Sequence, residues 1–185
     1  MIICISGFCA SGKNAAGEYV AEKLGMRLVS PTFKDLAKAE GITLMEFQER
    51  AAQSKDGEID RKFDLELRRQ ANDGHCVITT WLGPWIVENA DLRVWLYAAE
   101  AVRAKRLAAR EKISTQEALM HIRKRDEGNV ARYKKVYGID ITAHDDFDLQ
   151  IDVESLSAQQ VAQKIIDAAM EKGAAKGKKQ GKNKR

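Results

Sequence analysis
The sequence predicts an α/β fold of the P-loop NTPase kind, a parallel sheet of about five strands with helices on both faces. Two observations carry this. Met1-Ile2-Ile3-Cys4-Ile5-Ser6 is an unbroken apolar run that leads straight into a glycine loop ending in Gly12-Lys13, and such runs suit a strand buried on both faces. Behind it, short apolar runs alternate with segments of helical period along the chain, without an internal repeat.

The elements follow in order. Asn14–Leu24 predicts a helix with Ala16, Val20, Ala21 and Leu24 on one side, stopped by Gly25. Arg27–Ser30 is a short strand; Pro31 and Thr32 open a helix over Phe33–Glu40, and Gly41 ends it. Thr43 with Glu46 makes a capping box for a helix to Gln53. A polar break at 54–58 precedes a helix over Ile59–Asn72, with Phe63, Leu67 and Ala71 at helical spacing. Asp73-Gly74 turns the chain into a strand over His75–Thr79, and Gly83-Pro84 marks a turn beyond it. Leu92–Tyr97 is a buried strand, Glu100–Glu111 a basic helix, and Ser114 with Glu117 caps a long helix towards Tyr137. Phe147–Val153 is the last strand and Ser157–Glu171 the closing helix.

The chain has 185 residues and a net charge of +4. Residues 172–185 hold seven basic and no acidic side chains; without them 24 basic residues face 27 acidic ones. A slightly acidic body over 1–171 therefore carries a basic tail, expected to be unstructured and either merely solvated or in weak contact with RNA. No apolar run reaches the length of a membrane span and no signal segment is evident, so a cytoplasmic monomer without membrane contact is expected. Cys4, Cys9 and Cys76 lack metal-site spacing and suit a reducing compartment.

Gly7-Phe8-Cys9-Ala10-Ser11-Gly12-Lys13-Asn14 matches the phosphate-loop pattern G-x-x-x-x-G-K-[ST] except at its last position. Backbone N–H groups of such a loop form a nest for phosphate, and the N-terminus of the following helix, with Ala15 in its first turn, adds partial positive charge. Lys13 is placed to bridge the β- and γ-phosphates of ATP. Asn14 stands where a hydroxyl usually touches Mg²⁺; its carbonyl oxygen is also a hard neutral ligand, and asparagine is equally a good helix-start residue. No N-K-x-D signature of a GTPase is present, and no acidic residue ends the strands at Thr79 or Tyr97 as a motor ATPase would require. Phosphoryl transfer needs cations around the moving group. Arg106 and Arg110 supply them from one helix, and Arg125 and Arg132, seven apart and so on one face, from the next, as a phosphate clamp in a mobile lid. Ligands of open parallel sheets sit beyond the carboxyl ends of the strands, which directs attention to Ser30 and to Trp81 and Trp85; the two indoles either stack on a ring or cover a core edge.

The chain resembles the cytidylate kinases, in particular their short archaeal-type branch. The residues that carry the resemblance are Ile5-Ser6-Gly7 through Lys13, Phe33-Lys34-Asp35-Leu36-Ala37, and Ile59-Asp60-Arg61 with Asp64. Further along they are Ala90-Asp91-Leu92-Arg93-Val94-Trp95-Leu96 with 102–106, then Arg125-Asp126 through Arg132-Tyr133, and Tyr137-Gly138-Ile139-Asp140. The resemblance covers most of 1–172. It implies ATP-dependent, Mg²⁺-assisted phosphorylation of a nucleoside monophosphate, CMP or dCMP, with an acceptor-binding helical part over 32–73 and a lid over 112–140. It further implies that Lys34, Asp60, Asp64 and Asn129 serve the acceptor, and that Arg125 and Arg132 contact phosphates. The chain departs from the family at Asn14, at Thr80-Trp81 where the family has Gly-Arg, at Lys34 for Arg, and at Asn129 for an acidic residue. These departures leave two alternatives: a kinase for another small acceptor, or a low-turnover ATP-binding protein associated with RNA.

Overall fold
The computed structural model describes residues 1–182, side chains at 52, 55 and 174–182 excepted. The order of elements is β1 (Ile2–Gly7), α1 (Lys13–Leu24), β2 (Arg27–Val29), α2 (Phe33–Ala39), α3 (Leu44–Gln53), α4 (Glu58–Asn72), β3 (Cys76–Ile78), α5 (Gly83–Ile86), β4 (Leu92–Tyr97), α6 (Glu100–Glu111), α7 (Thr115–Tyr137), β5 (Leu149–Asp152) and α8 (Ala158–Lys182). A short 3₁₀ turn, Lys55–Gly57, joins α3 to α4.

The five strands form one sheet in the order β2-β3-β1-β4-β5, with every neighbouring pair parallel. Strand β1 lies in the middle, which explains its continuous apolar run. Ile3 and Ile5 face one way, into a core shared with Val20 of α1 and Ile165 of α8. Ile2 and Cys4 face the other way, onto Leu67 and Ala71 of α4 and Ile86 of α5. Alternate residues are thus apolar for different partners, as strands covered on both faces require. Strand order reverses between β1 and its two neighbours, so the crevice beyond β1 is where a ligand is expected.

Local chemistry accounts for most boundaries. Thr43 and Glu46 form the expected capping box, and Thr32 with Asp35 forms another at the start of α2. Ser114 Oγ accepts from Glu117 N at 3.1 Å and caps α7. The Gly83-Pro84 turn proves to be a single helical turn with proline in its first positions, where a missing N–H costs nothing. Helix α8 continues through Lys182, whereas the sequence predicted an unstructured tail from Lys172; its alanines and lysines are good helix formers. Lys172, the first basic residue of that tail, pairs with Asp148 at 2.5 Å; residues 183–185 and the side chains of 174–182, on which the rest of any RNA contact would depend, lie outside the described set. No helix among the described residues is long and apolar enough to cross a membrane.

Candidate active site
A cavity of about 950 Å³ opens at the carboxyl ends of the strands. Its floor is the loop between β1 and α1. Gly7 is required there by close approach: a Cβ would lie 2.5 Å from the Leu96 carbonyl oxygen and 2.6 Å from Ser11 Oγ. Ala10 (φ 60°) and Gly12 (φ 91°) take left-handed conformations and curl the loop, which the Ser11 N–H closes onto the Phe8 carbonyl at 3.1 Å. This curl before a helix N-terminus is the arrangement that gathers N–H groups around an anion. A second close approach lies beneath the loop, where a Cβ on Gly17 would meet Thr79 Cγ2 at 2.1 Å, so α1 sits hard against the end of β3.

Lys13 is the first residue of α1 and is half-buried in the cavity floor. Its ammonium lies 4.9 Å from the Trp81 ring centroid. Burial lowers its pKa to about 8; Cys9 and Asp126 act in the opposite direction, and the cations of Arg125 and Arg110 reinforce the fall. Asn14, Ala15 and Arg110 line the same end of the cavity.

Helix α7 forms one wall and is tied to the phosphate loop at Cys9. Asp126 Oδ1 accepts the Cys9 N–H at 3.0 Å, Asp126 Oδ2 pairs with Arg103 Nη1 at 2.6 Å, and the same Arg103 nitrogen donates to the Cys9 carbonyl at 3.0 Å. Arg125 Nη1 reaches Cys9 Sγ at 3.0 Å, while its Nε is buried without a partner. The lid predicted over 112–140 is therefore, at this point, a docked helix. Arg132 is almost fully engaged: Nε lies 3.1 Å from Asp60 Oδ1, and Nη2 donates to Asn129 Oδ1 at 2.9 Å and to the Tyr133 hydroxyl at 3.1 Å. Its guanidinium stacks 4.6 Å from the Phe33 ring centroid. Its Nε, although it faces Asp60, is buried without a hydrogen-bond partner.

The other wall comes from α2, α3 and α4. Ser30, Lys34 and Asp64 line the cavity with Phe33 and Phe63, whose rings meet edge-on at 5.2 Å. Asp64 accepts a short hydrogen bond from the Tyr137 hydroxyl, and burial raises its carboxyl to about 6 against that bond. Asp60 lies behind the wall as the counter-ion of Arg132. Buried polar atoms without partners concentrate here: Thr79 Oγ1, Arg125 Nε and Asn129 Nδ2 all belong to cavity-lining residues. Native proteins leave few such atoms, and a ligand or ordered water bound in the cavity would satisfy them.

One expectation needs correction. Arg106 is not beside the loop; its Nη2 donates to the carbonyls of Val153 and Glu154, tying α6 to the end of β5. Of the two roles open to Trp85 the structure gives the second: it covers a core edge, packed edge-on against Trp95 at 6.2 Å and Phe147 at 5.0 Å. Phe33, Phe63 and the Arg103–Asp126 tie were not singled out from the sequence. Phe63 read as one of a helix's evenly spaced apolar residues and Phe33 only as a helix start, and a contact between residues 23 apart on different helices leaves no local signal.

The model of the cytidylate kinase-like family matches residues 2–155. The chain belongs to this family. It is 39% identical over 173 residues to a cytidylate kinase of Pyrococcus horikoshii, covering 92% of this chain and 88% of that one. It is 37% identical over 167 residues to a cytidylate kinase of Ignicoccus hospitalis, covering 89% and 96%. A shikimate kinase of Acinetobacter baumannii shares the fold at a TM-score of 0.59 and 18% identity, covering 92% of this chain and 93% of that one. Asn14, Lys34, Thr80, Trp81 and Asn129, the positions read from the sequence as departures from the family, all line the cavity.

Proposed function
We propose that the chain transfers the γ-phosphoryl group of ATP to CMP or dCMP, yielding ADP and the pyrimidine nucleoside diphosphate. The observation that supports this best is a single cavity joining the phosphate loop to an aromatic-walled pocket that holds Asp64 and Asn129. ATP is placed with its phosphates on the loop N–H groups and Lys13. The acceptor lies between α2–α4 and α7, with its phosphate towards Lys34, Arg125 and Nη1 of Arg132. An oxygen of the acceptor phosphate attacks the γ-phosphorus as the bond to the β–γ bridging oxygen breaks. Lys13 and the loop N–H groups meet the charge left on ADP, and Arg125 meets the charge on the transferring group. The acceptor phosphate is already anionic, so no general base is needed.

The residues present fit Mg²⁺. Asn14 offers an amide oxygen, and Thr79 has a hydroxyl buried without a partner; both are hard neutral donors. Such a pair suits an ion held mostly by phosphate oxygens and water. Bound there, Mg²⁺ would neutralise phosphate charge and orient the chain of phosphates.

A coupled ADP-release assay with CMP, dCMP, UMP, AMP and GMP, set against an ATP-only control, tests the proposal. Turnover above the control with CMP or dCMP is expected; ATP binding without transfer to any of them would refute it. Two further outcomes follow from the site. Trp81→Arg restores a cation to the wall, and a charge-assisted contact of about 1.5–3 kcal/mol should lower KM for CMP by about tenfold or more. An unchanged KM would place the acceptor phosphate elsewhere. Lys13, held at about 8 in the free protein, is charged below that pH and neutral above it, and bound phosphates favour the charged form. ATP binding should therefore take up a proton, and affinity should fall as pH rises above 8. Calorimetry in buffers of differing ionisation enthalpy at pH 8.5 measures this uptake, and none is expected for Lys13→Ala.

A further inference from the structure
Beside the phosphate loop the cavity wall holds an aromatic ring. Trp81 lines the cavity, and the Lys13 ammonium lies 4.9 Å from its ring centroid. Among the described residues Lys13 makes no ion pair and no hydrogen bond, so the ring face is what receives its charge. The carboxylate of Asp126 also attracts it but is committed elsewhere, Oδ1 to the Cys9 N–H at 3.0 Å and Oδ2 to Arg103 at 2.6 Å. A half-buried ammonium without a carboxylate needs other compensation, and indole is the aromatic side chain that gives most of it. The ring is itself held. Ser6 Oγ donates to the Trp81 carbonyl at 2.7 Å, and Thr80 Oγ1 accepts from the Gly83 N–H at 3.0 Å, which fixes the backbone on both sides of Trp81 between β3 and α5. Phe8 of the phosphate loop meets the indole at 6.1 Å and a tilt of 59°, and is wedged in turn against Trp95 at 5.2 Å and under the Arg103 guanidinium at 5.5 Å.

We propose that Trp81 is a positioning residue for Lys13: its ring face holds the ammonium beside the phosphate loop, ready for the phosphates of the donor. The inference rests on the ATP-dependent kinase reading above. A ring face attracts a cation through its quadrupole and takes up none of its N–H donors. A carboxylate partner would engage one or two of the three and would have to be displaced when phosphate arrives. Held by Trp81, the ammonium keeps all three donors for phosphate oxygens and need not leave the ring to use them. The indole thus serves the donor side of the reaction, not the acceptor side, and is not a stacking platform for the acceptor base. Phe8 extends the same device into the loop, since the ring that sets the tilt of Trp81 belongs to the segment that cradles the phosphates.

The test replaces Trp81 in the full chain with mono-, di- and tetrafluorinated tryptophan, which withdraw electron density from the ring face and leave its shape nearly unchanged. ATP affinity in the presence of Mg²⁺ is read by calorimetry without an acceptor, and kcat and KM for CMP by steady-state transfer. Affinity and kcat are expected to fall stepwise with the number of fluorines, about tenfold in all, while KM for CMP stays within about threefold. In Lys13→Ala the same series should leave ATP affinity level. Trp81→Arg, although it is expected to lower KM for CMP, should lower kcat as well, since it sets a second cation beside Lys13. Affinity that is level across the series, or that rises because the ring had competed with phosphate, would overturn the assignment. So would an equal fall in Lys13→Ala, or a KM for CMP that moves in place of ATP affinity; either makes the ring a platform for a ligand. Because ATP binding is read without an acceptor, the role of Trp81 is decided even if no monophosphate is phosphorylated, the outcome that would sink the kinase reading itself.

Discussion
Lys13→Ala is expected to lower kcat about a thousandfold in single-turnover and steady-state phosphotransfer to CMP. Phosphate charge neutralised by a preorganised cation in a water-poor site is worth several kcal/mol, most of it in the transition state. Lys13 is placed for this at the loop–helix junction, beneath a cavity that also receives Arg110 and Arg125. Burial already disfavours its charge in the free protein, so removing the ammonium should not destabilise the fold. A chain whose folded-state pKa lies below the unfolded one gains stability as pH rises from about 8 towards the ordinary lysine range, and the variant should lose that rise. Lost activity with an unchanged or higher Tm near pH 7 supports the assignment. Near-normal turnover would remove Lys13 from the mechanism, and loss of activity together with a fall in Tm would point to a structural role.

The largest stability effect is expected at Asp126. Its carboxylate is raised in pKa by burial despite the Cys9 N–H and Arg103, so the pair contributes little net stability as it stands. Removing one partner is different. Asp126→Ala would leave Arg103, 7% exposed, as an uncompensated buried charge, at a cost of about 3–5 kcal/mol. For a chain of this length that corresponds to a fall in Tm of roughly 6–20 °C. Since Asp126 also holds Cys9 N–H, the phosphate loop should lose its anchor on α7, and KM for ATP should rise. The paired replacement Arg103→Met with Asp126→Leu should recover most of the Tm, because burying two apolar groups removes the desolvation cost together with the attraction. Thermal unfolding of the two chains decides it. Equal Tm values for Asp126→Ala and the native chain would mean that Arg103 finds water or another partner, and that the tie between α7 and the phosphate loop carries no weight.

The parts of this fold that were legible in the sequence are those set by neighbours along the chain. The phosphate loop is one, because its shape depends on consecutive backbone dihedrals and on glycine at Gly7 and Gly12. The central position of β1 is another, since apolar residues at consecutive positions require cover on both faces. The capping box at Thr43 followed from spacing, and at Ser114 half of one did, the N-cap bond from Glu117 N; Thr32–Asp35 passed unnoticed because aspartate replaced the usual glutamate. The site was only partly legible. Lys13, Asn14, Arg110, Arg125 and Asn129 came together in the cavity wall, but Arg106 belonged to a different contact although it shares α6 with Arg110. Four residues along a helix fix a shared face, not the element that face will meet. The two tryptophans divided in the same way. Trp81 follows β3 directly and faces the cavity, whereas Trp85 lies on the turn of α5 and joins Trp95 and Phe147. Which arginine is free and which is spent on a carboxylate, as with Arg125 and Arg132, depends on α4 meeting α7 and has no trace in either segment alone.

The most direct test of the central claim is ATP-dependent transfer by the full chain to CMP and dCMP, read as nucleoside diphosphate formed and compared with UMP, AMP and GMP. The structure and family membership predict turnover with CMP or dCMP well above UMP and far above the purines. Tight ATP binding with no diphosphate formed from any of the five would contradict it and would mean that the pocket around Trp81 and Asn129 takes a different ligand.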